Sequence, residues 1–122
     1  MKSSSKGRTG LARIWNALLY SLDGLSAAFR HEDAFRQEVL LALVLIPLAI
    51  YMPVTGAGKA LMVASVLLVL IVELLNTGIE CVTDRISLDD HVLAKRAKDA
   101  GSAAVMLSVI NVPVAWLLIL FG

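Results

Sequence analysis

The chain has 122 residues, of which 58% are hydrophobic and 17% are charged, and its formal net charge is +1. This composition is too apolar for an ordinary soluble protein, and the length leaves no room for a second domain. It also lacks the strongly basic surface that a nucleic-acid partner would require. We therefore expect one small all-α integral membrane domain over residues 1–122, with no nucleic-acid partner.

The N-terminal part of the chain predicts a basic tail followed by a helix that lies on the membrane. Residues 1–10 are polar and basic, and no continuous apolar stretch follows them, so we do not expect a cleaved signal peptide. Between Leu11 and Leu25, apolar residues recur at intervals of three and four, as in an amphipathic helix. The cationic lead-in and Trp15 favour a helix in the membrane interface.

Three apolar stretches further along are long enough to cross a bilayer, which takes about 20 largely apolar residues in a helix. The predicted helices that contain them cover about 30–54, 61–84 and 92–121, and the charged segment 27–38 is expected to continue into the first span without a break. Small residues at 101–104 would let the last helix approach a neighbour closely. Trp116 is interpreted as an anchor at the outer membrane interface.

Lysine and arginine residues are distributed unevenly along the chain. Six precede the first span, four lie between the second and the third, and Lys59 lies in the short turn after the first span. Positively charged segments that flank spans tend to stay in the cytoplasm. We therefore expect a cytoplasmic N-terminus and a C-terminus on the opposite side of the membrane.

The most informative stretch is the second predicted span, where polar residues interrupt an apolar run. Glu73, Asn76, Glu80 and Asp84 follow one another at spacings of three, four and four. On a helix, this spacing places them within a sector of about 80°. A carboxylate facing lipid costs about 3 kcal/mol, so these residues predict a functional site with a cation or a polar cavity opposite them. For Asp84, a simple ion pair with Arg85 or another cation is an equal alternative.

The residue types in this region favour phosphoryl transfer. Glu32 and Glu80 supply hard oxygen ligands, and Mg²⁺ is usually held by one or two carboxylates together with substrate phosphates. Cations at 95–98 would balance phosphate charge, and a partly desolvated Glu73 could act as a base toward a lipid hydroxyl. Glycine-rich phosphate loops and cysteine–histidine clusters are absent from the sequence. Two alternatives are an ion or proton transport subunit and a small structural subunit.

Four strings resemble the prokaryotic integral-membrane diacylglycerol kinase family, in the same order and spacing: WNALLYSLDGLSAAF at 15–29, EDAFRQE at 32–38, VELLNTGIECVTDR at 72–85 and RAKDAGSAAV at 96–105. The resemblance implies ATP-dependent phosphorylation of 1,2-diacylglycerol to phosphatidate, with Mg²⁺ as cofactor, at the cytoplasmic face of the bacterial inner membrane. It also implies a homotrimer of three-span subunits that share composite active sites. A related branch that phosphorylates undecaprenol is the alternative.

The resemblance also implies roles for individual residues. Glu73 resembles the general base and Asn76 the polar residue beside it, while Glu32 and Glu80 resemble the metal ligands. Residues that resemble nucleotide contacts are Arg13, Tyr20, Glu32, Glu80, Asp89, Asp90, His91, Lys98 and Asp99. Residues that resemble the lipid-substrate side are Arg13, Ser21, Ala34, Phe35, Arg36, Gln37, Glu38, Glu73 and Ser102.

Overall fold

The computed structural model describes residues 10–86 and 92–122, which form four helices. The helices are α1 (Gly10–His31), α2 (Asp33–Tyr51), α3 (Gly56–Ile86) and α4 (Val92–Phe121). Helices α2, α3 and α4 are each long and apolar enough to cross a membrane, and no strand occurs within the described ranges. The predicted all-α fold, with three spans and an N-terminal helix, is confirmed.

Helix α1 is longer than the predicted surface helix of residues 11–25 and ends in a sharp junction. It continues to His31, and Glu32 then adopts an extended conformation, with φ −116° and ψ 110°, before α2 begins. The Glu32 N–H donates to Ala28 O at 2.9 Å, and Glu32 O accepts from the Arg36 N–H at 3.1 Å. Both helices thus keep backbone hydrogen bonds up to the junction. The expectation of an unbroken helix from about residue 30 is therefore wrong. The sequence did not reveal the break, because no glycine or proline marks it.

Helix α3 is the central element of the fold, because it packs against both α4 and α2. The buried core where the three helices meet consists of Ala42, Ala49, Met62, Val66 and Trp116. The Trp116 Nε1–H donates to Met62 O at 3.2 Å and to Ser65 Oγ at 3.1 Å. The interpretation of Trp116 as an interface anchor is therefore wrong, since its ring is buried and ties α4 to α3.

Helix α4 packs closely against side chains of α3 at Gly101. A side chain at this position would overlap Asn76 Oδ1, so only glycine leaves room for the amide. Gly101 itself is buried. The prediction that the small residues of α4 permit a close helix contact is confirmed at this residue.

Large parts of the three spanning helices remain exposed within the single chain. Leu40, Leu43 and Val44 on α2, and Leu107 and Leu118 on α4, are exposed apolar residues. Backbone groups in these helices are hydrogen-bonded internally, so such faces suit lipid or another hydrophobic surface.

Candidate active site

The polar stripe predicted on α3 turns inward, toward the neighbouring helices. Glu73 is 6% exposed and Asn76 is 8% exposed, while Glu80, one turn further, is half-buried. Asp84 is exposed at the end of the stripe. Glu73 and Asn76, which lie deepest in the apolar run of α3, are therefore shielded from lipid. This fits the high free-energy cost of placing a lone carboxylate in hydrocarbon.

Glu38, on the first turns of α2, lies beside Glu73. The two carboxyl groups are close enough for their charges to act on one another. Glu38 Oε1 is buried and finds no hydrogen-bond partner among the described residues. The pair thus brings two carboxyl groups together where α2 packs against α3.

Two further carboxylates surround this pair. The Glu32 and Glu80 side chains lie close enough to Glu73 for their charges to act on it. Glu32 makes no capping hydrogen bond to the start of α2, so its carboxylate is not used by the helix. The α1–α2 junction and α3 therefore bring together three of the acids that the sequence singled out, Glu32, Glu73 and Glu80.

A cavity of about 610 Å³ lies between α1 and α3, with Glu32 in its wall. Its polar lining includes Ser21, whose hydroxyl donates to Ala17 O at 2.8 Å, and Thr77. Thr77 Oγ1 is buried and has no hydrogen-bond partner within the described part of the chain, and the same holds for Asn76 Oδ1. An unsatisfied polar atom in a cavity wall, as at Thr77, is typical of a ligand site.

These residues fit a magnesium ion of the kind that a nucleotide brings with it. Within residues 10–86 and 92–122, no group of three or more His, Cys, Asp or Glu side chains is arranged to hold a metal. A complete protein cage for a cation is thus not present in these ranges. The carboxylates of Glu32 and Glu80 match the one or two that Mg²⁺ takes from a protein when phosphates and water supply its remaining ligands.

Residues 34–38 point in different directions around α2. Ala34 and Gln37 are exposed, whereas Phe35 is 3% exposed and packs inside the fold. The Arg36 guanidinium lies over the end of α1, where it donates to backbone carbonyls. Gln37 and Glu38 border a second cavity, of about 390 Å³, whose other walls are apolar residues of α2, α3 and α4.

The start of α4 carries two ion pairs. Lys98 Nζ lies 2.8 Å from Asp84 Oδ1 on α3, and Lys95 Nζ lies 2.7 Å from Asp99 Oδ2 on the same helix. The structure therefore joins Lys98 to the last residue of the α3 stripe, and the alternative of an ion pair for Asp84 is confirmed, with Lys98 as the partner. Ser102, the next polar residue on α4, is exposed.

The remaining predicted site residues are not brought to the acid cluster within one chain. Arg13 and Tyr20 are exposed on α1, where Ala28 is the residue that becomes buried. Asp89, Asp90 and His91 lie outside the described residues. Their assignment to the nucleotide stays a prediction.

Sequence reasoning missed the pairing of Glu38 with Glu73. It placed Glu38 on the lipid side without a carboxylate partner, because the charged start of α2 has no periodicity that reveals which face turns toward α3. The signal that could have found it was the presence of a carboxylate at the start of one span and another inside the next.

Comparison with known proteins places the whole chain in one group. The model of the prokaryotic diacylglycerol kinase family matches residues 19–120. The chain is 55% identical over 120 residues to a diacylglycerol kinase of Pseudomonas aeruginosa, an alignment that covers 98% of each chain. It is 48% identical to that of Haemophilus influenzae, over 93% of this chain and 96% of the relative. It is 44% identical to that of Escherichia coli strain K12, over 93% of each.

Proposed function

The chain belongs to the prokaryotic diacylglycerol kinase family, and we propose that it transfers the γ-phosphoryl group of ATP to 1,2-diacylglycerol to form phosphatidate. Membership of this family makes it a lipid kinase and not an ion or proton transport subunit. The observation that carries the residue assignment is the buried Glu73, which is surrounded by Glu32, Glu38 and Glu80.

Glu73 is the general base in this proposal. Its carboxylate accepts the proton of the diacylglycerol hydroxyl as that oxygen forms a bond to the γ-phosphorus of ATP. The bond between the γ-phosphorus and its bridging oxygen breaks, and ADP leaves with the bonding electron pair. Burial at 6% exposure suits this role, because a base with few water partners takes up a substrate proton more readily.

Glu32 and Glu80 would hold Mg²⁺ on the nucleotide. When bound, the ion neutralises charge on the β- and γ-phosphates. Asn76, whose Oδ1 is buried beside Gly101 and has no hydrogen-bond partner among the described residues, steadies a donor group of the substrates. The protein's contribution is then mainly to position charged groups, as is usual in phosphoryl transfer.

The nucleotide side of the site includes Lys98 and Asp99 at the start of α4, together with Arg13 and Tyr20 on α1. The ion pair with Asp84 holds Lys98 at the end of the α3 stripe, which supports the placement of Lys98 near Glu80. Asp89, Asp90 and His91 complete the proposed contacts.

The lipid side of the site includes Ser21, residues 34–38 and Ser102, with Arg13 at its edge. The cavity that Glu38 and Gln37 border has apolar walls, which supports an acyl chain lying there while the hydroxyl reaches Glu73. Ser21 lines the other cavity, on the Glu32 side. A polar rim with an apolar interior is what a diacylglycerol headgroup and its chains require.

We also propose a homotrimer with composite active sites in the inner membrane, with a cytoplasmic N-terminus and a periplasmic C-terminus. Arg13, Tyr20 and Ser102 are exposed in one chain, so a second subunit is needed to bring them near an acid cluster. The exposed apolar faces of α2 and α4 supply contact surfaces for this assembly.

The test is a phosphoryl-transfer assay with the purified protein, ATP and Mg²⁺. Diacylglycerol and undecaprenol are supplied in parallel, and labelled phosphate is followed into the lipid fraction. We expect phosphatidate to form much faster than undecaprenyl phosphate. Preferential labelling of undecaprenol would assign the chain to the alternative substrate, and labelling of neither lipid would contradict the proposal.

A further inference from the structure

An arginine of α2 reaches back across the α1–α2 junction. Arg36 lies on the first turn of α2, and its Nη1 donates to Phe29 O at 2.8 Å and to Arg30 O at 2.9 Å. Both acceptors belong to the last turn of α1, whose carbonyls have no partners within the helix. Arg36 Nη2 binds Asp33, so the guanidinium contacts both helices at once.

The position of this cation also suits the charges of the junction. The C-terminal end of a helix carries partial negative charge, and a cation there is stabilising. The Arg36 side chain is only 35% exposed, so water weakens these bonds less than it would on an open surface. The guanidinium thus closes the end of α1 and fixes the direction in which α2 leaves it.

The residue enclosed by this arrangement is Glu32. It is the one extended residue between the two helices, its carbonyl accepts from the Arg36 N–H, and its side chain makes no cap hydrogen bond. No cap hydrogen bond therefore fixes the direction of the carboxylate. A change in the angle between α1 and α2 would move the Glu32 side chain relative to the cavity that it lines.

We propose that Arg36 is a positioning residue that holds Glu32 in place for the metal–nucleotide complex. This inference rests on the proposed function, in which Glu32 is a metal ligand. The positioning role is separate from the lipid-side assignment of residues 34–38, because it rests on the bonds of the guanidinium to the α1 carbonyls and to Asp33. Lysine could not replace it fully, since one ammonium group lacks the planar fork that serves both helices.

The experiment compares Arg36→Gln with Arg30→Gln as the matched control. Arg30 is also an exposed arginine near the junction, but among the described residues its side-chain hydrogen bond stays within α1, from Nε to Ser26 O at 3.4 Å. Binding of Mn²⁺ together with a non-hydrolysable ATP analogue is measured by electron paramagnetic resonance on the intact protein in lipid nanodiscs. Loss of a residue that orients a metal ligand typically weakens the metal by about tenfold or more, so we expect that loss for Arg36→Gln and wild-type binding for Arg30→Gln.

Two further measurements separate positioning from other roles. Hydrogen exchange at the amides of Glu32 and Arg36 should accelerate in Arg36→Gln and not in Arg30→Gln. In Arg36→Gln, the loss of Mn²⁺ binding should exceed any rise in the KM for diacylglycerol, and Arg36→Lys should bind Mn²⁺ better than Arg36→Gln. A rise in the KM for diacylglycerol with unchanged Mn²⁺ binding would overturn the proposal and support a lipid contact.

Glu32→Gln distinguishes failure of this inference from failure of the proposed function. If Glu32→Gln weakens Mn²⁺ binding and Arg36→Gln does not, Arg36 has no positioning role but the metal site stands. If Glu32→Gln binds Mn²⁺ as the wild type does, the metal assignment fails and the inference fails with it. Should Arg36→Gln not fold, Arg36→Lys is compared with Arg30→Gln in its place. Wild-type Mn²⁺ binding in Arg36→Lys, together with accelerated hydrogen exchange at the Glu32 amide, would overturn the proposal.

Discussion

Lys98 Nζ donates a hydrogen bond to Asp84 Oδ1 at 2.8 Å, and this ion pair joins the end of α3 to the second turn of α4. The two side chains are 43% and 62% exposed. An ion pair this exposed contributes only about 0–1 kcal/mol to stability. The pair therefore matters mainly for where Lys98 lies, which is beside the polar stripe and not free at the surface.

We predict that Asp84→Asn raises the KM for MgATP with little effect on stability. The change removes a contact that orders Lys98 before the nucleotide binds, and ordering a long side chain costs up to about 0.5–1.5 kcal/mol. That free energy corresponds to a rise of about 2- to 10-fold in the KM for MgATP. The measurement is the steady-state KM at saturating diacylglycerol, together with a thermal melt.

The double variant Asp84→Asn with Lys98→Gln provides the control for this prediction. If Asp84 acts through Lys98, the double variant should bind MgATP no worse than Lys98→Gln alone. Additive losses would show that Asp84 acts on the nucleotide by another route.

We predict that Gly101→Ala destabilises the protein and slows turnover. The added methyl group would collide with Asn76 Oδ1, so α3 and α4 must separate or the amide must move. Overpacking of this kind typically costs about 1–3 kcal/mol. The measurement is the unfolding free energy in detergent, combined with kcat.

Gly78→Ala is the matched control for Gly101→Ala. Gly78 lies on α3, and a methyl group there would meet nothing within 4 Å. Alanine is favoured over glycine within a helix by about 1 kcal/mol, so stability should stay the same or rise. Equal losses in both variants would argue against a specific contact between Gly101 and Asn76.

We predict that Trp116→Phe lowers the free energy of unfolding by about 1–3 kcal/mol, because it removes the donor that serves Met62 O and Ser65 Oγ. Trp15, which is 59% exposed on α1, provides the control, and Trp15→Phe should be nearly neutral. Tryptophan fluorescence checks the placement, because each variant retains one tryptophan. Trp15→Phe, which retains Trp116, should emit at shorter wavelength than Trp116→Phe, which retains Trp15. Similar emission and stability in the two variants would contradict the buried position of Trp116.

The sequence predicted the parts of the site that follow from the geometry of a single helix and from the free-energy cost of a carboxylate inside a membrane. Glu73 and Asn76 share a face by spacing alone, and an acid in a span must turn inward, as it does. The inward face of α2, and with it the neighbour of Glu73, depends on how helices pack. Glu38 was therefore not recognised as the partner of Glu73.

Two other features were beyond sequence reasoning for related reasons. The break at Glu32 falls among strong helix formers, and a hydrogen-bond arrangement in three dimensions, not local propensity, ends α1 there. Trp116 has the position of an interface residue in the sequence, yet its indole N–H finds partners on α3. Tertiary contacts override the local signal at both sites.

The most direct test of the account is the rate of phosphoryl transfer by Glu73→Gln. Glutamine keeps the shape of the buried side chain but cannot accept the proton of the lipid hydroxyl. Loss of a general base typically costs at least about 100-fold in rate. We expect a loss of that size in the transfer of labelled phosphate from ATP to diacylglycerol, with nucleotide binding and thermal stability close to the wild type. Turnover near the wild-type rate in Glu73→Gln would show that Glu73 is not the general base.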